Sequence, residues 1–355
     1  MLLLGAGEKI LPRQVWTGKN WAAAPQLLPP NAGAARTYRW DVASHAGQLV
    51  QVVLVDHDDR PGCWVYAAGF RYQTAPDPAL EQFTQQMLDL QKKHRLPPIQ
   101  RWDSQRFIAL GNAGDKFSAS RLQQCEIFYD LFYRHFQAKG FAPRPIGQRL
   151  HLAVFDSPAG FEAFVGRPVA AGITGLYHPA SNRLALYDVR ENRAFVAERE
   201  HWFKRGATLG APLDKARFLD TVQRHFDDAA KDVSLATTMH EAAHLLSFNC
   251  GLLNRQGDAP AWLAEGLACY CEATDQGDWQ ALGAANPLRL DTLRRALEGK
   301  NHLLPLGQLL RDDRWLHKGQ VMIGYAQGWA LFHQFMHQRP RQLKAYLEMI
   351  HFRRG

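Results

Sequence analysis

The sequence predicts an α+β protein, and three observations lead to this class. Short β-branched and apolar runs alternate with helix-like stretches in the first half of the 355-residue chain. Helical patterns then dominate from Leu213 to the end. The composition, 46% hydrophobic and 21% charged, is that of a globular protein. Strands followed by a separate helical region are typical of the α+β class.

The first hundred residues predict a small α/β region. Residues 1–35 are rich in Pro, Gly and Ala and predict an irregular leader. Residues 48–55 and 63–72 are β-branched apolar runs separated by a turn-forming cluster, which predicts a hairpin. Residues 79–94 carry apolar side chains at helical spacing and predict a helix.

A second block of strands and helices follows a proline pair. Leu96-Pro97-Pro98 is the predicted linker, so we divide the chain into an amino-terminal region, 1–100, and a larger domain, 106–355. The predicted elements of the larger domain are a strand at 106–110, a helix at 118–139, a strand at 150–155, a helix at 157–164, a hairpin at 175–188, a loop at 190–212 and helices thereafter.

Charge and hydropathy exclude two classes of protein. Lys plus Arg is 42 and Asp plus Glu is 34, a net charge of +8, with no dense basic tract, so we expect no nucleic-acid partner. No apolar run reaches the roughly 18 residues of a transmembrane helix. The amino-terminal apolar run stops after Leu4, short of the roughly 7–15 residues of the apolar segment of a signal peptide, so the chain as written predicts no export signal. Compartment and oligomeric state stay open.

The five cysteines predict reduced, buried thiols rather than a disulfide framework. They stand at positions 63, 125, 250, 269 and 271, an odd and sparse set. The closest pair is separated by one residue and lacks the spacing of a zinc knuckle.

Residues 240–244 form the motif that carries chemistry, His-Glu-Ala-Ala-His. Its Ala-, Leu- and Met-rich surroundings favour a helix, and Gly251 fits the end of that helix. Residues four apart lie on one helix face, so His240 and His244 can reach the same cation. Glu241 is placed to polarise a water rather than to bind the metal.

A second helix predicted at 260–272 carries a candidate third ligand, Glu265. A carboxylate within this apolar segment is costly unless a charge compensates it. Two histidines and one glutamate would leave a fourth position open, which is the catalytic form of a zinc site. We therefore expect one zinc ion per chain.

The segments His-Glu-Ala-Ala-His and Ala-Trp-Leu-Ala-Glu-Gly-Leu-Ala resemble the gluzincin metallopeptidases of the thermolysin-like superfamily. M1-type aminopeptidases carry a similar Trp-Leu-x-Glu-Gly segment, and a bacterial group of gluzincin-like domains is the most similar. The resemblance covers about residues 106–355. It implies a small mixed sheet with an edge strand, an active-site helix and a helical carboxyl-terminal part. It also implies that His240, His244 and Glu265 bind zinc and that Glu241 is the general base.

Two departures limit the resemblance. The residues before His240 contain no glycine-rich exopeptidase motif, which weakens an aminopeptidase assignment. The third candidate ligand is a glutamate rather than a histidine at metzincin spacing, so we set metzincins aside.

Two further residues are candidates for supporting roles. Tyr325 lies 60 residues after Glu265, similar to the catalytic tyrosine of M1-like enzymes, and is either an oxyanion donor or a packing residue. Glu272 shares a helix face with Glu265 and is either a hydrogen-bond acceptor for a ligating histidine or a solvated carboxylate.

Other candidates receive structural interpretations. Cys269 lies one turn from Glu265, and packing is preferred to ligation; His333 and His337 are interpreted as an ordinary helix face, and His178 as a surface residue. In gluzincins, the strand beside the active-site helix is an exposed edge that binds extended peptides. That resemblance offers residues 183–188 as a substrate-binding strand, with a structural hairpin as the alternative.

The sequence thus predicts a zinc metallopeptidase that hydrolyses peptide or protein substrates with Glu241 as general base and Tyr325 as oxyanion donor. Two alternatives stay open: a metal-binding scaffold without proteolytic activity, and a zinc hydrolase of a non-peptide amide.

Overall fold

The computed structural model describes residues 77–170, 172–257, 259–272, 282–299, 302–317 and 319–351, together with the backbone of four short strands before residue 77. The chain divides into two compact units, Met1–Pro78 and Ala79–Gly355. The boundary therefore precedes the predicted linker at Leu96-Pro97-Pro98, and the first helix belongs to the second unit.

The first unit contains two pairs of antiparallel strands. Strands β1 (Leu2–Leu4) and β4 (Val65–Ala67) pair with each other, as do β2 (Gln14–Trp16) and β3 (Trp21–Ala23). The prediction that residues 1–35 are wholly irregular is wrong, because three-residue strands are too short to show an alternating pattern. The predicted strand at 48–55 lies outside the described residues, and β4 confirms part of its predicted partner.

A five-stranded mixed sheet forms the centre of the second unit. Its order is β5-β6-β7-β9-β8, with β6, β7 and β9 parallel and with β5 and β8 antiparallel at the edges. The strands are β5 (Gln100–Asp103), β6 (Phe107–Gly111), β7 (Leu150–Phe155), β8 (Gly175–His178) and β9 (Arg183–Tyr187).

Helices cover both faces of this sheet, so the three parallel strands are buried along their whole length. On one face, α1 (Pro78–His94) and α3 (Pro158–Val165) pack Phe83, Met87 and Phe161 against alternate strand residues. On the other face lie α2 (Asp115–Ala138) and α5 (Pro212–Asn249), a helix of 38 residues.

The carboxyl-terminal part is helical, as predicted. It comprises α6 (Ala261–Cys271), α7 (Pro287–Glu298), α8 (Leu306–Arg311), a 3₁₀ turn at Asp313–His317, α9 (Val321–Gln338) and α10 (Pro340–His351). Helices α6 and α9 touch through their backbones, because a Cβ on Gly266 would lie 2.5 Å from the carbonyl oxygen of Gly328. Each of these two helices also sends a side chain to His240 of α5, Glu265 from α6 and Tyr325 from α9.

Most predicted elements of the second unit are confirmed, and two predictions fail. The loop predicted at 190–212 contains α4 (Arg193–Ala207), whose first turn is capped by the Asn192 side chain. Its many charged residues face solvent and leave only a narrow apolar stripe against α5, so the helical period is weak. Strand β5 was not predicted, because a mostly exposed edge strand shows no apolar alternation.

The α+β class is thus confirmed as a mostly helical molecule with a small mixed sheet. Among the described helices, none combines the length and the hydropathy required to cross a bilayer. The cysteines at 125, 250, 269 and 271 are buried free thiols, as predicted, and Cys63 lies outside the described residues.

Candidate metal centre

The second half of α5 supplies two histidines and a glutamate to one buried site. His240, Glu241 and His244 are each at least nine-tenths buried. The helical spacing predicted for the histidines is confirmed, since their Nε2 atoms lie 3.3 Å apart. The helix ends where predicted, with Gly251 in the left-handed conformation at φ 82°.

Helix α6 brings Glu265 to the two histidines. Its Oε2 atom lies 3.2 Å from His240 Nε2 and 3.5 Å from His244 Nε2. One atom from each of the three side chains thus lies within 4.8 Å of the other two, an arrangement that could hold a metal ion. The carboxylate of the candidate third ligand, Glu265, thus lies beside both histidines.

Glu272, at the carboxyl-terminal end of α6, orients His240 and is itself held by residues at the start of α7. The Nδ1 atom of His240 lies 2.7 Å from Glu272 Oε1, so the nitrogen carries a hydrogen and donates it to the carboxylate. Glu272 in turn accepts two hydrogen bonds from Arg289, at 2.6 and 3.1 Å, and one from Asn286 at 2.9 Å. His240 Nε2 therefore faces the Glu265 carboxylate, and a metal cation between them would replace the proton that bridges the two groups.

The charges of the site favour a bound cation. Burial opposes ionisation of Glu265, but the two imidazoles outweigh it and hold the pKa of this carboxyl well below its usual range. Burial likewise opposes ionisation of Glu272, yet His240 and Arg289 lower its pKa. Burial also opposes protonation of His240, but hydrogen bonds with Cys269 and two carboxylates raise the pKa of the imidazole. Two ionised carboxylates thus face the His240 imidazole, and a metal cation would take the place of the proton that it holds.

Glu241 does not touch this cluster of three donors but faces strand β8. Its Oε2 atom accepts the backbone N–H of Tyr177 at 2.6 Å. Burial raises the pKa of Glu241 above the ordinary value for a glutamate, although the neighbouring histidines counteract part of the effect. The approach of β8 to α5 requires glycine at position 175, because a Cβ there would lie 3.0 Å from Glu241 Cγ.

Tyr325, at the start of α9, lies over the ring of His240. The ring centroids are 5.7 Å apart with an interplanar angle of 24°, and the Arg289 guanidinium lies 5.4 Å from the tyrosine centroid. Burial raises the pKa of Tyr325, so its hydroxyl stays protonated and can donate a hydrogen bond. The structure therefore brings Tyr325 to the predicted metal ligands.

A second group of potential ligands lies on the other side of the same imidazole. His240, Cys269 and Glu272 also offer atoms within 4.8 Å of one another. Arg289 already occupies the Glu272 carboxylate as a buried ion pair, and burial raises the pKa of Cys269 to about 12, which keeps the thiol protonated. This group is accordingly a poorer cation site than the first.

The other three histidines considered from the sequence, His178, His333 and His337, belong to none of the groups of potential ligands found among the described residues. His333 and His337 stack on each other at 4.2 Å, and His337 Nε2 lies 3.2 Å from the carbonyl oxygen of Gly283, which agrees with a helix face used for packing. His178 is exposed in the hairpin turn, as predicted, with Nδ1 at 3.0 Å from Ser181 Oγ.

The prediction that residues 183–188 form an exposed edge strand is wrong. Strand β9 lies between β7 and β8 and is buried on both faces. The edge strand is instead β8, the first strand of the predicted hairpin, and it packs against α5 at Gly175 and Tyr177. The error arose because alternation within one strand does not tell which strand of a hairpin pairs with the rest of the sheet.

Three residues of the site were not predicted: Tyr177, Asn286 and Arg289. Tyr177 contributes a backbone N–H, which every residue except proline has, so the sequence carries no signal for it. Asn286 has one signal, since Asn-Pro at the start of a helix is typical of an N-cap, and its side chain does accept the Arg289 N–H at 3.3 Å.

A comparison with known families gives a match over the part of the chain that carries this site. A family model described as a protein of unknown function, DUF1570, matches residues 234–354. The match covers about a third of the chain, from the second half of α5 through α10, and includes the three donors, Glu241 and Tyr325. It leaves out the sheet and therefore β8. The comparison with curated proteins gives no match.

Proposed function

We propose that the protein is a zinc-dependent hydrolase of peptide bonds, of gluzincin type. The observation that carries the proposal is the triangle of donors formed by His240, His244 and Glu265, with sides of 3.2, 3.3 and 3.5 Å. Donor atoms that surround a tetrahedral zinc ion at about 2.0–2.1 Å lie roughly 3.3–3.4 Å from one another. The donor set and its dimensions therefore fit zinc, with a fourth position left for water or substrate.

The residues around the triangle suit hydrolysis. A bound zinc ion supplies Lewis acidity, which acidifies water and polarises a carbonyl group. Glu241 holds one oxygen on the Tyr177 amide, and among the described residues its other oxygen has no hydrogen-bond partner. That oxygen takes the proton of the attacking water and returns it to the leaving amine as the carbon–nitrogen bond breaks.

Two further groups support the assignment to peptides. Tyr325 carries a protonated hydroxyl beside His240 and is the proposed donor to the oxyanion that forms when water adds to the carbonyl. Strand β8 is an edge, and extended peptides add to such edges as another strand. Its Tyr177 amide already serves Glu241, so the substrate would use the neighbouring outward groups, including the Tyr177 carbonyl.

The test combines metal analysis with digestion of a peptide library by the full chain. We expect one zinc per chain in the parent, loss of stoichiometric zinc in His244→Ala, and retention in His178→Ala, a matched control at an exposed histidine. Glu241→Gln should keep zinc and the fold but lose about 10²–10⁴-fold in rate, since the base is gone and the ligands remain. Chelation should abolish hydrolysis, and added zinc should restore it.

Each component of the proposal can fail separately. One zinc per chain in His244→Ala would reject the ligand set, and full activity of Glu241→Gln would reject the base. Cleavage of non-peptide amides alone would favour a hydrolase of another amide class. Stoichiometric zinc without any hydrolysis would favour a metal-binding scaffold.

A further inference from the structure

A pair of asparagines connects the turn of the β8–β9 hairpin to the end of α5. Asn182 Nδ2 donates to Asn249 Oδ1 at 2.9 Å, and Asn249 Nδ2 donates to Asn182 Oδ1 at 2.7 Å. Asn249 is the last residue of α5, and its Nδ2 also donates to the Leu245 carbonyl at 2.7 Å. Each amide therefore uses both a donor and an acceptor on the other, which fixes the orientation of the two side chains.

The backbone of Asn182 is in an unusual conformation that suits this pair. Its φ is 54°, in the left-handed region, where asparagine is the most tolerated residue after glycine. Asparagine at this position thus serves both the turn and the contact with α5. Glycine also tolerates this conformation but has no side chain. Asn182→Gly therefore removes the contact with Asn249 without straining the backbone.

The asparagine pair holds Tyr177. The tyrosine hydroxyl donates to Asn182 Oδ1 at 3.0 Å, and the ring stacks on Phe248 at 5.6 Å and on His244 at 6.1 Å. The backbone N–H of the same residue donates to Glu241, as described above. One residue of the edge strand therefore contacts both the proposed base and a proposed metal ligand, and its far end is fixed by the asparagines.

We propose that Asn182 and Asn249 are positioning residues that hold Tyr177, and through it the Glu241 carboxylate, in the geometry required for hydrolysis. This proposal rests on the proposed function for its catalytic consequence but not for its structural one. The pair acts from a distance, since neither asparagine touches the three donors. A displacement of the base by about 1 Å is enough to cost on the order of 10²-fold in rate.

The test measures the Tyr177 amide directly. Asn182→Gly, Asn249→Ala and the double variant are compared with Ser181→Ala, a control in the same turn at a half-buried residue whose hydroxyl bonds His178 and not the asparagine pair. Hydrogen exchange is followed by mass spectrometry in the peptide that contains residues 175–178, and kcat, KM and zinc content are measured on the same preparations. The melting temperature confirms that each variant is folded at the assay temperature.

We expect about a 10-fold or greater acceleration of exchange at the Tyr177 amide in each single variant, and no change in Ser181→Ala. We also expect kcat to fall by about 10–10²-fold, with little change in KM and zinc content. The double variant should lose no more than the worse single variant, because the two side chains act as one unit.

Unchanged exchange at Tyr177 in both single variants would overturn the proposal. So would faster exchange with unchanged kcat in an active enzyme, because a merely structural contact lowers stability without changing the rate of folded molecules. If Asn182→Gly fails to fold, Asn249→Ala carries the same test. If the parent hydrolyses nothing and the variants still exchange faster at Tyr177, the positioning of Tyr177 is supported and the proposed function is rejected instead.

Discussion

The two sides of α5 hold the candidate site by different kinds of interaction. The helix flank consists of Glu265, Glu272, Arg289 and Tyr325 on α6, α7 and α9, and its central contact is a buried, bidentate ion pair. The strand flank consists of Gly175, Tyr177 and Asn182 on β8 and its turn. Its contacts are a backbone N–H, a ring stack and a pair of neutral amides.

The difference corresponds to what each side must support. A metal ligand has to keep one tautomer and one orientation, and hydrogen bonds to charged groups are the strong ones. A general base has to change its protonation state, and an arginine beside it would lower its pKa and weaken it as a base. The comparison teaches that charge suits the support of a ligand, whereas a neutral donor suits the support of a base.

The largest effect we expect comes from removing the charge on the helix flank. Arg289→Met leaves the buried Glu272 carboxylate without its partner, which should reduce the free energy of unfolding by about 3–5 kcal/mol. Zinc affinity should fall by about 10–100-fold, because Glu272 without Arg289 would hold the His240 ring less firmly. Urea denaturation of the metal-free protein and competition with a chelator measure the two effects.

The matched control is an exposed arginine on the same helix. Arg294 is 67% exposed and pairs with Asp291, so Arg294→Met should change the free energy of unfolding by less than about 0.5 kcal/mol. If Arg289→Met were no less stable than this control, the helix flank would not depend on charge. The contrast between the flanks would then disappear.

The sequence predicts the parts of the site that lie on local patterns. His240, Glu241 and His244 follow from a five-residue motif on a helix, and Glu265 follows from its apolar surroundings on the next helix. The supporting residues do not follow in this way, because Arg289 meets Glu272 across 17 residues and Tyr177 meets Glu241 across 64. Such contacts depend on how α7 packs near the end of α6 and on how β8 packs against α5, which no periodicity in the chain encodes.

The elements of the fold also differ in whether local patterns predict them. Strands β6 and β7 and helix α2 were predicted because they are buried and strongly patterned. Helix α4 and strand β5 were missed because both lie at the surface, where few apolar positions mark the period. The order of strands also required the structure, since the same hairpin pattern fits β8 or β9 at the edge.

A second prediction asks whether the helix flank takes part in the reaction as well as in ligand support. Tyr325→Phe keeps the ring that stacks on His240 and removes the hydroxyl. If that hydroxyl donates to the oxyanion, kcat should fall by about 10²–10³-fold, with KM and zinc content little changed. Steady-state kinetics and metal analysis on the same preparation separate these quantities.

Tyr129→Phe is the corresponding control, because that ring packs on α2 against Arg106 and Tyr133. A rate within a few-fold of the parent for both variants would make Tyr325 a packing residue. The helix flank would then act on the proposed metal ligands alone, which sharpens the contrast with the strand flank.

The smallest effect we expect comes from the strand flank, where close packing replaces charge. A Cβ at Gly175 would lie 2.5 Å from Thr237 Cγ2 and 2.8 Å from Leu186 Cδ2, so Gly175→Ala must push β8 away from α5. Overpacking of this kind costs about 1–3 kcal/mol, less than the loss of a buried ion pair. Gly147→Ala is the control, since a Cβ there meets nothing within 4 Å. Because β8 carries the Tyr177 amide, Gly175→Ala should also accelerate hydrogen exchange at Tyr177, and Gly147→Ala should not. A Gly175→Ala protein as stable as the control, with the Tyr177 amide equally protected, would show that the strand flank holds Glu241 without close contact between β8 and α5.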